Sequence, residues 1–277
     1  MVALRDHLEP SFETAVPGQT ATRSLPLGLT YHALYVQMKY DNAGTPTDIP
    51  AANWATYVGE VRLIVNGEVK WRIDAADLIS LAKFYGRDVK DGILPLYLAR
   101  PWQRTVNGED ALAWGTEAGV QSLVLELDLV SGYTLSSISV RSRKSRPRPF
   151  GRHLVIRKMH KNIGSTGEHE ISDLPIGDDG GRYRLIGAHW KTAGIDKWKV
   201  IVNSQEFRDQ DRAYAEQVNE EHGLVHQANF THVLMADRAR LDDALPMNVQ
   251  DFRFRGEFSA TGNFAYYTEE VREAGVA

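Results

Sequence analysis

Between Val61 and Gly86 the spacing of hydrophobic and polar positions changes period, and each regime predicts an element. Val69, Trp71 and Ile73 alternate with Glu68, Lys70 and Arg72, the period-two pattern of a strand with one buried face. Asn66-Gly67 precedes that run as a hairpin signal, because a two-residue type I′ turn needs positive φ at both positions, which Asn and Gly tolerate best. After Asp74 the spacing becomes helical: Leu78, Leu81, Ala82 and Tyr85 share one stripe, with Asp74 as N-cap and Gly86 as the left-handed stop. The stretch reads strand, turn, strand, capped helix.

The same order returns between Trp198 and Gly223. Ile201, Val202 and Asn203 match Ile64, Val65 and Asn66 at an offset of 137 residues, as do Asp211 with Asp74 and Gly223 with Gly86. Upstream, Leu174-Pro175-Ile176-Gly177 echoes Leu25-Pro26-Leu27-Gly28 at an offset of 149, and a strand-like run follows each, at 33–39 and 183–191. The offset differs because the first copy has a longer loop, 41–53, rich in Gly, Pro, Thr and Asp, a kind that accepts insertions at little entropic cost. Shared order at near-constant spacing argues for two structural copies of one module.

The remaining pattern is mostly strand. Period-two or continuous apolar runs predict strands at 20–25, 33–39, 60–65, 68–73 and 92–98, where Pro95 marks an edge or a bulge. Leu123, Leu125, Leu127 and Leu129 alternate with Glu126 and Asp128, and 133–140 is expected to pair back onto that strand across Ser131-Gly132. In the second half, strands are expected at 153–159, 168–174, 231–235, 249–258 and 264–269, with Phe252, Phe254 and Phe258 on one face. Met1 to Phe12 is expected to form one or two amphipathic helical turns. The pattern is therefore all-β, roughly eight strands and one inserted helix per copy, as expected of a sandwich or barrel. The expected domains are 1–141, a basic Pro-containing linker at 142–152, and 153–277. Arg141 to Lys161 carries nine Lys and Arg and no acid; with Phe150 as its one aromatic, it reads as a solvated linker before it reads as a phosphate-binding strip.

Composition narrows the function classes. The 277 residues suffice for two domains with separate cores, and 43% hydrophobic residues with a net charge of -4 give no field that would draw a polyanion. The absence of cysteine excludes disulfides, thiolate zinc sites and a cysteine nucleophile. No signal peptide or spanning segment is expected. The chain has no His-x-His, H-E-x-x-H, G-x-S-x-G or phosphate-binding glycine loop, so no catalytic residue is assigned. His222 and His226 stand at a helical metal spacing, but Gly223 breaks the helix between them, so both are expected to be structural. Asp178-Asp179 and Asp242-Asp243 offer hard oxygens without the spacing of a calcium loop; a structural calcium is not specified, and no cofactor is expected. Among six tryptophans that raise sugar stacking, Trp71 and Trp198, the latter placed at the matching position of the second copy, are expected in the core.

Leu29-Thr30-Tyr31 opening a strand, Val61 to Gly67 with Ile73 and Tyr85-Gly86, Gly92 to Tyr97, Glu170 to Pro175 and the repeat around Asn203 carry a likeness. Together they resemble the double jelly-roll major capsid proteins of icosahedral, membrane-containing DNA viruses, of the corticovirus and tectivirus type. That resemblance implies a fold of two tandem eight-stranded antiparallel jelly rolls, each with one inserted helix, in a non-enzymatic subunit that trimerises into pseudo-hexagonal capsomers tiling a shell around an inner membrane and a DNA genome. It implies contacts with neighbouring capsomers, with vertex and minor capsid proteins and weakly with the membrane, without sequence-specific nucleic-acid binding. The location it implies is the virion capsid, assembled in the host cytoplasm. Val2, Leu4, Arg5 and Leu8 are the candidate membrane-facing arm. The rival reading is a carbohydrate-binding or carbohydrate-cleaving jelly-roll protein, which when it cleaves needs two carboxylates facing across a groove.

Overall fold

The computed structural model describes residues 4–102, 106–174, 176, 183–236 and 241–274. The chain divides into two compact units, one of the described residues up to Ile156 with Ala274, the other of Arg157–Glu273. Val2, Pro175, Gly177 and Asp178-Asp179 lie outside the described residues.

The first unit contains β1 (Arg5–Leu8), β2 (Thr20–Ser24), β3 (Thr30–Asn42), β4 (Thr45–Asp48), α1 (Trp54–Tyr57), β5 (Val58–Val65), β6 (Glu68–Asp74) and α2 (Ala75–Phe84). It continues with β7 (Ile93–Tyr97), α3 (Val106–Asp110), β8 (Trp114–Gly115), β9 (Leu123–Leu129) and β10 (Leu135–Ser145). One sheet runs β1-β10-β3, with β4, β7 and β8 all on the far edge of β3; the other runs β2-β9-β5-β6. Residues 152–156 open β11 (Arg152–Ile163) and lie beside β6, where Ile156 pairs with Trp71 in a parallel bridge.

The rest of β11 belongs to the second unit, with β12 (Gly167–Ile171), β13 (Tyr183–Trp190), β14 (Ile195–Val202), β15 (Gln205–Asp211) and α4 (Arg212–Glu221). Then come β16 (Thr231–Leu234), a 3₁₀ turn (Leu241–Asp243), β17 (Leu245–Pro246), β18 (Phe252–Phe258) and β19 (Gly262–Glu273). One sheet runs β12-β18-β14-β15, and the other joins β16 and β17 to β13, β13 to β19 and β19 to β11. Apart from β4, which has no counterpart on β13, this is the connectivity of the first unit. β3 and β13 carry the same three kinds of partner; β2-β9-β5-β6 and β12-β18-β14-β15 follow one order, and β1 and β11 each flank the long closing strand.

Alternation explains the cores. β9 shows every Leu buried and every intervening residue partly exposed, facing Val61, Leu63 and Val65 of β5 across the strand pairing. In the second unit Trp190, Trp198, Phe252, Phe254, Phe258 and Tyr266 fill the core, and Gly256 leaves room for its neighbours, since a Cβ there would sit 2.9 Å from the Phe258 ring and 3.0 Å from that of Phe254. Burying an aromatic of this size removes 150–250 Å² or so from water, which makes these rings the main apolar contribution.

Several expectations are corrected. The arm is not helical: Arg5–Leu8 is a strand antiparallel to β10. β10 does not fold back on β9 but crosses to the opposite sheet and pairs with β3, the crossover that turns a meander into a jelly roll. The long loop of the first copy contains a hairpin, β4 returning along β3. The basic stretch is a linker only in part: residues 141–145 are in β10, 152–163 form β11, and the segment between them, mostly exposed, is hydrogen-bonded. Arg148 O accepts from Glu117 N–H at 3.0 Å, Phe150 N–H donates to Ala118 O at 2.9 Å, and Thr30 Oγ1 donates to Arg146 O at 2.8 Å. Prolines at 147 and 149 remove only N–H donors, so the carbonyls still find partners. Val69 is 42% exposed because it sits beside the hairpin turn, past the covered part of the sheet, while Trp71 and Ile73 are buried. The first unit has α1 and α3 besides α2, both of a single turn.

Candidate functional site

The repeated hairpin is the feature around which each unit is pinned. Asn66 and Asn203 take φ of 52° and 49°, followed by Gly67 at 81° and Ser204 at 64°. Their side chains do more than tolerate the turn. Asn66 Oδ1 accepts from Gln121 N–H at 2.7 Å and Ser122 N–H at 3.2 Å; Asn203 Oδ1 accepts from Gln250 N–H at 2.9 Å and Asp251 N–H at 3.2 Å. Each Asn N–H donates in turn to Ser122 O or Asp251 O. Each turn thus fixes the chain entering the neighbouring strand, β9 or β18. The helices that follow are capped by Asp74 and Asp211 and end at Tyr85 and His222, but only Asp211 makes a side-chain cap bond, to Tyr214 N–H at 2.9 Å. Trp71 and Trp198 are both buried, yet they are not equivalent: the 137-residue offset sets Trp198 against Val61 and Trp71 against Arg208.

Polar clusters surround this frame. The arm ends in a buried ion pair, Lys144 Nζ to Glu9 Oε1 at 2.5 Å, with Ser142 also hydrogen-bonded to Glu9 and the ammonium 4.3 Å from the centre of the Tyr31 ring. Burial, and secondarily the Glu9 charge, pushes the Tyr31 phenol far up, so it stays protonated and donates to Pro26 O at 2.6 Å. On the outward face of β5 and β9, Arg62 reaches Glu60 at 2.9 Å, Glu126 at 2.9 Å and Asp128 at 2.6 Å. Hydrogen bonding to Arg62 holds the Asp128 carboxyl below its usual range.

In the second unit, His189 and His232 share an Nδ1 to Nδ1 hydrogen bond of 2.8 Å, with Glu269 Oε2 3.4 Å from His189 Nε2 and the Phe230 ring stacked on His232. Burial, then repulsion from His189 and His226, holds His232 well below the ordinary imidazole value. One ring of such a pair donates and the other accepts, so at least one of the two imidazoles is neutral. His226 is engaged with Asn219 at 3.3 Å and lies 3.6 Å from Glu216, while His222 is the exposed C-cap residue of α4. Asp242 and Asp243 sit on the 3₁₀ turn. Among the described residues no group of three or more His, Asp or Glu is placed to hold a metal ion. No described helix is long and apolar enough to cross a membrane.

The tryptophans are inside rather than on a binding face. Trp54, Trp71, Trp114, Trp190 and Trp198 are fully buried, and Trp102 is stacked on Tyr85 at 4.8 Å. Phe150, the aromatic of the basic stretch, packs edge-on against Trp114 at 5.9 Å. Of the arm residues, Arg5 and Leu8 are exposed, Leu8 by 63%, and Leu4 is partly buried.

Two jelly-roll units of matching connectivity define the fold of the double jelly-roll viral capsid proteins. The crystal structure of the major capsid protein P2 from bacteriophage PM2 matches at a TM-score of 0.87, with 19% identity and 99% of both chains covered. The atomic structure of Sulfolobus turreted icosahedral virus matches at 0.67 with 10% identity over 97% of this chain and 90% of that one, and the PBCV-1 virus capsid at 0.61 with 10% identity over 100% and 97%. In sequence, the major capsid protein P2 of Pseudoalteromonas phage PM2 is 26% identical over 210 residues, 72% of this chain and 70% of that protein. The viral coat protein P2 N-terminal domain matches residues 7–145 and the P2 C-terminal domain residues 154–274. The chain belongs to the viral coat protein P2 family.

Proposed function

We propose that this chain is the major capsid protein of a PM2-like virus, a structural subunit that trimerises into capsomers of pseudo-hexagonal outline. The supporting observation is the equivalence of the two units down to the Asn66 and Asn203 pins, on a chain that matches both coat-protein domains in order. Two similar modules per chain, repeated three times, supply six nearly equivalent sides, which is the geometry a hexagonal tile needs. Neighbouring capsomers, vertex and minor capsid proteins, an inner membrane and an enclosed DNA genome complete this reading, with assembly in the host cytoplasm. No catalytic role belongs to it. The buried carboxylates and imidazoles have partners inside the units, and five buried tryptophans remove most of the stacking platforms the carbohydrate rival needs. An obligate interface of this kind buries about 2,000 Å² or more with an apolar centre, so trimers should persist as salt rises; sedimentation showing dissociation in moderate salt would contradict it.

A further inference from the structure

The two units also differ at an equivalent sheet edge. In the first, the outer edge of β6 carries residues 152–156: beside the Ile156 to Trp71 bridge, the Trp71 indole N–H donates to Leu154 O at 2.8 Å. In the second, β15 occupies the position of β6, after the same pinned turn and before the same capped helix, and its outer edge carries no strand among the described residues. A strand edge left open presents unpaired amides to any extended segment of suitable register.

The segment that fills the first edge shows what would fill the second. Residues 152–156 open β11, and the counterpart of β11 is β1, since each lies next to the long closing strand, β19 or β10. Like β15, β1 has a strand on one edge only among the described residues, pairing with β10. The register can be carried across. Trp71 corresponds to Arg208 at the hairpin offset of 137, and Ile156 corresponds to residue 7 or 9, using either the 149-residue echo or the starts of the two domain matches at 7 and 154. A parallel alignment on those positions sets Leu8 opposite Phe207 when Ile156 corresponds to residue 9, and two residues from it when Ile156 corresponds to residue 7. Both are large apolar side chains left in water, 63% and 44% exposed.

Resting on the capsomer reading, we propose that the outer edge of β15 is a docking site for a second copy of this chain, whose β1 lies along it in parallel with Leu8 against Phe207. The contact joins two different surfaces, so it is head-to-tail, and three copies close it into a ring without leaving either edge open.

Because the chain has no cysteine, the contact can be read by cross-linking. Leu8→Cys and Phe207→Cys are made separately and together, then oxidised and run without reductant. Expected are heterodimers from the mixed single variants, none from either alone, and covalent trimers from the double variant. Leu8→Asp and Phe207→Asp should each weaken trimerisation tenfold or more, with circular dichroism and melting of the folded chain unchanged. Self-cross-linking of either single variant, or trimers that survive both Asp substitutions without cross-links, would overturn the β1 to β15 contact while leaving the capsomer reading intact. A wild-type chain monomeric at micromolar concentration would remove both. Vesicles of phosphatidylglycerol and phosphatidylcholine provide the other control: Leu8→Asp that lowers vesicle binding but spares trimers would give the arm to a membrane and overturn the proposal.

Discussion

Replacing Asn203 by alanine separates the two jobs assigned to the hairpin pins. Alanine at φ 49° incurs a left-handed backbone penalty of about 1 kcal/mol. It also removes an acceptor shared by Gln250 and Asp251 N–H groups at 2.9 and 3.2 Å, at a surface where each bond contributes about 0.5 kcal/mol. The expected loss is about 2 kcal/mol in the second unit. Asn203→Gly keeps the conformation and loses only the acceptor, so about 1 kcal/mol is expected, partly through the freer unfolded chain. Two units make a single unfolding free energy ill-defined, so the assay is native-state hydrogen exchange of β14, β15 and β18, which reports opening of that sheet directly. Asn66 should behave alike in β5, β6 and β9. The reasoning is refuted if alanine costs less than about 0.5 kcal/mol at both sites, or if exchange quickens equally in both units after one substitution.

Lys144→Met should cost about 3 kcal/mol, because it strands the Glu9 carboxylate in a buried site, whereas Lys144→Met with Glu9→Leu should recover most of the loss; native-state hydrogen exchange of β3 and β10 in the two variants checks this. The folded His232 binds a proton less readily than the unfolded one, so stability of the second unit is complete above about pH 6.5 and falls as pH drops below it, and His232→Phe should flatten that slope in exchange measured from pH 7 to 5. His189, His226 and Arg212 face the same ring and oppose its charging. Gly115→Ala should destabilise the first unit by about 2 kcal/mol or more, since a Cβ there would sit 2.2 Å from Pro149 O and 2.3 Å from Arg148 O, read as a lowered melting temperature.

What was legible in the sequence was local. Asn66-Gly67, the alternation after it, the Asp74 cap and the Gly86 stop each carry their physics within a few residues, and the structure keeps the turn, the cap and the stop, with Gly86 at φ 68°, and the alternation from Lys70 to Ile73. The repeat was legible because two copies must satisfy the same turn and the same cap. Strand pairing was not. Residues 133–140 follow β9 after a glycine turn, but the long-range choice of β3 as partner has no local signature, since Tyr40 and Leu135 are paired across 95 positions. The arm misled in the same way: Leu4 and Leu8 have helical spacing, yet the buried Glu9 to Lys144 pair ties the arm's end to β10. The signal available was Lys144 itself, one position before Ser145, a cation on a strand where alternation turns it inward. The His189 and His232 pair, 43 residues apart, left no trace that spacing could find.

The mass of the native particle tests the central claim most directly. Three chains of 31.1 kDa make about 93 kDa, and the account predicts that species, or megadalton shells built from it, by sedimentation at micromolar concentration in moderate salt. A stable 31 kDa monomer under those conditions would contradict it.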